Sequence, residues 1–330
     1  MAMSTMRSPS KGRMGGFQEI LGILVVLAVL VVLFTLLSDK FLTVSNLFRI
    51  LLNISTIGVM ALGEGLVIIV LGMDLSVGST FAIAGIITGL GITRFGMGVP
   101  ASIAVGIASG AFVGAINGAL ILNAGLSAFI ATFGMLSVIR GVAYAISGGY
   151  TIPVYTKSFT DIGMASLGPI PVPAIVLVVA VALFAVSLRR TTFGASLFAT
   201  GGNERASHYS GIRTKRVKYV AYILCGALAA VAGILSTAKI GMASSTAGLG
   251  YELDVITAVI LGGVSLKGGK GSAIGIMIGA VIMGVIRNGL LIMGVSAYYQ
   301  TTIIGCIIIV VVMIDTLRNT GTLRLQSRRS

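Results

Sequence analysis

The sequence predicts an all-α polytopic membrane protein of about ten transmembrane helices. Three observations carry that class. Apolar runs close to 20 residues recur from one end of the chain to the other, the length an α-helix needs to cross a bilayer. The 330 residues are 56% hydrophobic and only 10% charged, with a mean hydropathy of +1.06, unlike a soluble domain. Runs such as "ILGILVVLAVLVVLFTLL" do not alternate in polarity, as the ~10-residue strands of a membrane β-barrel would.

The elements follow in order. Residues 1–16, "MAMSTMRSPSKGRMGG", read as a polar, basic tail. A signal peptide would follow such a tail with a shorter apolar core and a small-residue cleavage site. Here the apolar run is full length and reads as the first span. Spans are predicted at 17–38, 54–73, 79–95, 101–122, 127–147, 172–188, 217–238, 251–266, 272–292 and 298–316. The eighth is short for a ~30 Å hydrocarbon core at ~1.5 Å per residue, so it is expected to be tilted, kinked or only partly spanning. Small residues recur in "ASGAFVGAINGA", "GALAAVAG" and "GSAIGIMIGAVIMG", with Gly271, Gly275 and Gly279 four apart. That spacing lets helix backbones approach closely where lipid offers no hydrophobic drive for association. One transmembrane domain over 17–316 is expected, with a tail at 317–330 and no separate soluble domain.

A net charge of +14 raises nucleic-acid binding as a class, but the charges sit between the spans. Placing the N-terminus in the cytoplasm puts sixteen basic residues inside: Arg7, Lys11 and Arg13; Arg189, Arg190, Arg205, Arg213, Lys215, Arg216 and Lys218; Lys267 and Lys270; and Arg318, Arg324, Arg328 and Arg329. Five lie outside: Lys40, Arg49, Arg94, Lys157 and Lys239. The asymmetry predicts both termini inside, which requires an even number of spans. Arg140 and Arg287 fall within spans. Cys225 and Cys306 both lie in apolar runs and read as packing residues, not as a disulfide or metal pair.

Two connections are long, an outer one from about Gly148 to Pro171 and an inner one over 189–216. The inner one reads "RRTTFGASLFATGGNERASHYSGIRTKRVK". Asn203 suits a helix N-cap, and Gly211 suits the left-handed C′ position that ends a helix. Glu204 in the first turn complements the helix dipole, and Ala206 and Tyr209, three apart, form a small apolar stripe. Isolated helices this short are marginal, so the segment is expected to dock onto something. The plainer reading is a solvated loop that holds basic residues inside.

The motifs "GMDLSVGS", "FATGGNERASHYSGI" and "GYELDVITAVILGGVSLKGGKG" resemble the ribose-type permease subunits of bacterial sugar ABC importers, over essentially the whole chain from about residue 20 to 317. The resemblance implies a fold like the ten-helix permease of the cobalamin importer. It implies a second permease subunit, a cytoplasmic ABC ATPase that binds ATP and magnesium, and a periplasmic or lipid-anchored sugar-binding protein. It also implies that Gly202, Asn203, Glu204, Arg205, Ala206, Ser207, Tyr209 and Gly211 belong to a helix that couples to the ATPase. The expected location is the bacterial inner membrane, with no cofactor in this chain.

Polar residues in the spans supply the remaining candidates. Between spans two and three, Asp74 or Ser76 can cap the next helix while Gly78 stays pliable. The same break can act as an inner gate, because irregular backbone at membrane depth is tolerated only inside protein or beside a watery cavity. Glu64 lies midway through span two, where an acid costs a few kcal/mol unless solvated, paired or protonated. It lines the pathway, or it makes a structural hydrogen bond or ion pair, with Arg140 or Arg287 as candidates. Glu252 and Asp254 either complement a helix dipole at the outer start of span eight or face the docked binding protein. Lys267 and Lys270 lie in a glycine-rich turn without the spacing of a phosphate-binding loop. His208, the only histidine, reads as an interface polar residue, with a proton switch as the alternative.

No catalytic triad, metal cluster or nucleotide-binding motif is present, so an ATPase or other enzyme is not expected. The functional expectation is the membrane-spanning subunit of an ATP-driven sugar importer. The rivals are a secondary transporter coupled to an ion through Glu64, and a membrane scaffold.

Overall fold

The computed structural model describes residues 11–327 apart from Pro169. The chain forms α1 (Lys11–Leu37), α2 (Val44–Ile69), α3 (Val77–Thr93), α4 (Val99–Leu122) and α5 (Ala128–Ser147). An outer excursion follows, with β1 (Ile152–Pro153), α6 (Lys157–Met164), β2 (Ser166–Leu167) and β3 (Ile170–Pro171). Then come α7 (Val172–Arg190), α8 (Thr192–Gly202), α9 (Glu204–Tyr209), α10 (Thr214–Ile240) and β4 (Met242–Ala243). The chain finishes with α11 (Tyr251–Leu261), α12 (Ala273–Ile292) and α13 (Ala297–Ser327). Two-residue antiparallel ladders join β1 to β4 and β2 to β3.

This is an all-α polytopic membrane protein. Among the described residues six helices, α2, α4, α5, α7, α10 and α12, are long and apolar enough to cross a membrane, with shorter apolar stretches at Leu21–Leu37, Val77–Thr93 and Ala297–Met313. Every predicted span overlaps a helix. The eighth is an 11-residue helix, α11, which rises only about 16 Å and cannot cross alone. The expected terminal tails are partly helical, since α1 starts at Lys11 and α13 runs to Ser327; residues 1–10 and 328–330 lie outside the described residues.

Local chemistry sets the helix ends. Ser127 and Ser272 cap α5 and α12, accepting from the backbone N–H of Ile130 and Gly275. Gly148 and Gly241 close α5 and α10 in the left-handed conformation. The core centres on α2, whose last two-thirds are almost wholly buried between α7, α10, α11 and α12. The glycine-spaced faces make the closest contacts. A Cβ on Gly110 of α4 would meet the carbonyl of Gly226 of α10, and the reverse. Gly275 and Gly279 of α12 lie against the backbone of Gly262 and Ala258. Asn46 of α2 and Asn288 of α12 exchange two 2.8 Å amide hydrogen bonds, a polar tie between buried helices.

Two connections reverse into the bundle. At the end of α2 nearest α9, the Ile69 carbonyl accepts from Gly269 N–H at 2.9 Å, and Gly201 packs against the same carbonyl with no room for a Cβ. From there 70–76 turns back, with Leu71 at φ +64, and climbs beside α2 so that α3 starts part-way up the bundle. At the opposite end, after β4, residues 244–250 descend, and α11 starts beside the first turn of α3. Gly248 lies against the Gly78 carbonyl, and the rings of Phe81 and Tyr251 meet edge-on at 5.4 Å. Two breaks entering from opposite ends therefore meet inside the protein.

Candidate functional site: a broken-helix crossing and a capped surface helix

Glu64, Asp74, Ser76 and Gly78 come together at the crossing. Glu64 is fully buried; its Oε1 accepts the Asp74 backbone N–H at 3.0 Å, and its Oε2 lies 3.6 Å from the Cys225 thiol. It pairs with neither Arg140 nor Arg287, so its partner is the loop that returns beside it. Asp74 Oδ1 accepts both the backbone N–H of Ser76 at 2.8 Å and its hydroxyl at 2.6 Å. Asp74 thus satisfies a donor just ahead of α3. Ser76, at the N-cap position, makes no side-chain cap of its own. The Asn117 amide of α4 donates to Asp74 Oδ2 at 3.0 Å and to the Ser76 hydroxyl at 2.9 Å.

Gly78 lies in the first turn of α3. A Cβ there would strike the Gly248 carbonyl and Glu252 Oε2, so glycine is required by the close approach of two chain segments. The two acids of α11 separate. Asp254 is fully buried and forms a 2.5 Å ion pair with Arg287 of α12, whose guanidinium also lies 5.8 Å over the Tyr251 ring. It therefore presents nothing to an external partner. Glu252, in the first turn of α11, turns toward Gly78 and leaves Oε2 buried without a partner. Arg140 of α5 donates from Nη1 to the carbonyls of Ser245 at 2.5 Å and Ala247 at 2.8 Å, gripping the descending segment.

Above the crossing, at the β1–β4 end, a cavity of about 250 Å³ is lined mainly by polar groups, among them Asn53, Thr56, Lys239, Tyr251, Arg287 and Gln300. Among the described residues no cluster has the composition of a metal site.

The second group of candidates forms α9. Asn203 caps it, its Oδ1 accepting Ala206 N–H at 2.9 Å, and Gly211 follows its end at φ +87. Gly202 lies in the last turn of α8, an 11-residue helix within the long inner connection. Ser207 faces inward, whereas Arg205, Ala206, His208 and Tyr209 are exposed, Tyr209 by 88%. The Ala206–Tyr209 stripe thus points away from the bundle. Glu204 bridges to Lys218 of α10 at 2.5 Å, tying α9 to a membrane-length helix. A shallow groove of about 580 Å³ runs along this face between Glu204, Arg205, Tyr209, Arg213 and Lys215.

Sequence reasoning missed Asn117 as a partner of the first break and the grip of Arg140 on the second. The signal for Asn117 was an amide inside the apolar run "GAINGAL".

The family described as branched-chain amino acid transport system / permease component matches residues 46–312. The chain is 40% identical to the ribose import permease protein of Escherichia coli (strain K12) over 296 residues, 88% of this chain and 92% of the relative. It is 37% identical to the D-allose transport system permease protein of the same strain, over 91% and 93% of the two chains. The L-arabinose ABC transporter permease protein of Azospirillum brasilense is 33% identical, over 94% and 92%. No solved structure matches the chain. With most of its length matched and its helices carrying two membrane-buried breaks, the chain belongs to the branched-chain amino acid transport system / permease component family.

Proposed function

We propose that this chain is the membrane-spanning permease of an ATP-driven sugar importer of the bacterial inner membrane. The observation that carries the reading is the meeting of two irregular segments, 70–76 and 244–250, from opposite ends of the bundle at Gly78 and Gly248. Transporters place such breaks around the pathway, where irregular backbone is sheltered by protein or water. Sugar is favoured over the amino acids of the family description because relatives at 33–40% identity over some nine-tenths of the chain are named for ribose, allose and arabinose.

The permease is the non-hydrolysing subunit, and ATP and magnesium belong to its cytoplasmic ATPase. That ATPase docks on α9, whose outward stripe of Ala206 and Tyr209 is exposed. A binding protein delivers sugar at the β1–β4 end. Both termini lie in the cytoplasm, an orientation supported by the basic residues that flank α9 and by Lys267 and Lys270 beside Ile69. A second permease subunit closes the face on which Thr246 and Leu249 are exposed beside Gly134, Ser137 and Gly141 of α5, since irregular backbone at this depth is not left to lipid. Exposed Val29, Leu36, Val178 and Leu183 of α1 and α7 meet the bilayer.

No observation favours ion coupling through Glu64, which is occupied by Asp74. Reconstitution with the cognate ATPase and binding protein tests the reading. ATP-dependent uptake of a labelled pentose or hexose, and not of leucine, is expected. Uptake driven by an ion gradient without ATP, or uptake of leucine alone, would overturn it.

A further inference from the structure

The descending segment 244–250 is held from one side by a single charged group. Arg140 is 7% exposed, and Nη1 donates to both Ser245 and Ala247. These are carbonyls of irregular backbone, with no carboxylate in contact. Its Nε is buried and has no hydrogen-bond partner. The nearby acid is Glu252, two residues past the end of the same segment, which acts electrostatically on Arg140 without forming an ion pair. Glu252 Oε2 is likewise buried and unpartnered. One donor atom of Arg140 and one acceptor oxygen of Glu252 are therefore left without partners near one short loop, although both groups hold other hydrogen bonds. Leaving such atoms unpaired is costly, and a rearrangement that brought Arg140 onto Glu252 would satisfy both.

We infer that Arg140 is a positioning residue for transport that alternates between two partners: the carbonyls of Ser245 and Ala247 in one state, and the carboxylate of Glu252 in the other. Movement of 244–250 away from α5 frees Nη1 and lets the guanidinium close on Glu252. The loop then has two discrete settings instead of a continuum, which is what a gate needs to be thrown by a distant ATPase. Gly78 and Gly248 make the transition sharp, because their backbones touch and any shift of the loop must also move the start of α3 or α11. The inference rests on the importer reading for the loop's purpose, but the exchange of partners is a property of the chain.

The test uses the complete importer in proteoliposomes, with Arg140→Gln, Arg140→Lys, Glu252→Gln and the double Arg140→Gln/Glu252→Gln. Each single variant is expected to assemble and to lose about 10-fold or more in ATP-dependent uptake, the scale of one charge-assisted hydrogen bond. The double variant should be no worse than Arg140→Gln alone. Losses that multiply would overturn the exchange. A second readout needs no transport. With Cys225 and Cys306 replaced by serine, Ser244→Cys, half-buried at the start of the loop and not on the face assigned to the second subunit, reports the loop through its rate of labelling by a water-soluble thiol reagent. Arg140→Gln and Glu252→Gln should shift that rate in opposite directions, since one removes the grip and the other removes its rival. Shifts in the same direction, or none, mean a fixed structural clamp and overturn the proposal. Should Arg140→Gln fail to assemble, Arg140→Lys, which keeps the charge but not the guanidinium geometry, carries the same comparison. Absence of uptake by the unaltered protein would fail the importer reading alone, leaving the labelling result to decide the exchange.

Discussion

Glu64 and Asp74 are ten residues apart in the chain and joined by a 3.0 Å hydrogen bond from the Asp74 backbone N–H to Glu64 Oε1. An acid that looks misplaced inside a membrane helix is thus the anchor for the loop that folds back beside that helix. Glu64→Gln keeps an acceptor oxygen and should shift the melting temperature in detergent only slightly. Glu64→Leu strands the Asp74 N–H and should cost about 1–3 kcal/mol. Equal effects of the two would mean that the charge, not the acceptor, holds the loop.

Asp74 accepts three donors, two from Ser76 and one from Asn117. Asp74→Asn turns one of those acceptors into a donor, but Asn117 has an unused Oδ1 and can rotate its amide to receive it. Mild loss of uptake is expected. Asp74→Leu leaves the donors ahead of α3 unsatisfied with little water at hand, and should abolish uptake and lower expression. The ordering, read by uptake against surface amount, is the check.

Gly211 sits at φ +87 with open space where a Cβ would go, so substitution there strains the backbone and clashes with nothing. Gly211→Val should misplace the end of α9 at a cost of about 1–2 kcal/mol while the protein still inserts. ATP hydrolysis by the assembled importer should no longer respond to loaded binding protein. Normal stimulation in that variant would show that α9 is not the coupling element.

Asp254 and Arg287 form an ion pair with the carboxylate fully buried. Asp254→Leu leaves Arg287 without its partner and should destabilise by about 3–5 kcal/mol. Arg287→Met in the same protein should recover most of that, since a matched apolar pair replaces a matched charged one. Thermal unfolding of the two variants separates a structural pair from one needed for transport, because only the latter leaves the stable double variant inactive.

Gly78→Val tests the close approach of α3 to the descending segment. The added side chain would collide with Gly248 and Glu252. Even Gly78→Ala should lower stability and uptake together, measurable as reduced yield of assembled importer.

The sequence spoke clearly wherever one residue type has one job. Asn203 and Gly211 bracket α9 because capping depends on local backbone geometry, and apolar length marks a span because hydrocarbon thickness is fixed. What it could not convey depends on which segments meet. The contact of Gly78 with Gly248 and the hydrogen bond of Glu64 to the returning segment 70–76 join residues that the sequence shows only as a helix-start glycine and an acid in need of a partner. Glu252 and Asp254 read as a surface pair until α11 is seen to begin inside the bundle. The span predicted at 251–266 is already short for a bilayer, but only the descent of 244–250 explains how the 11-residue α11 completes its passage.

The joint beneath α9 has a consequence for how one machine can carry many cargoes. Ile69, Gly201 and Gly269 meet there through main-chain atoms alone, at the junction of α2, α8 and the turn before α12. A linkage built from peptide groups has no chemical identity to match against a solute and almost no slack to absorb a displacement. In the proposed importer, residues around the crossing are therefore free to change without altering this joint, provided its small residues keep their size.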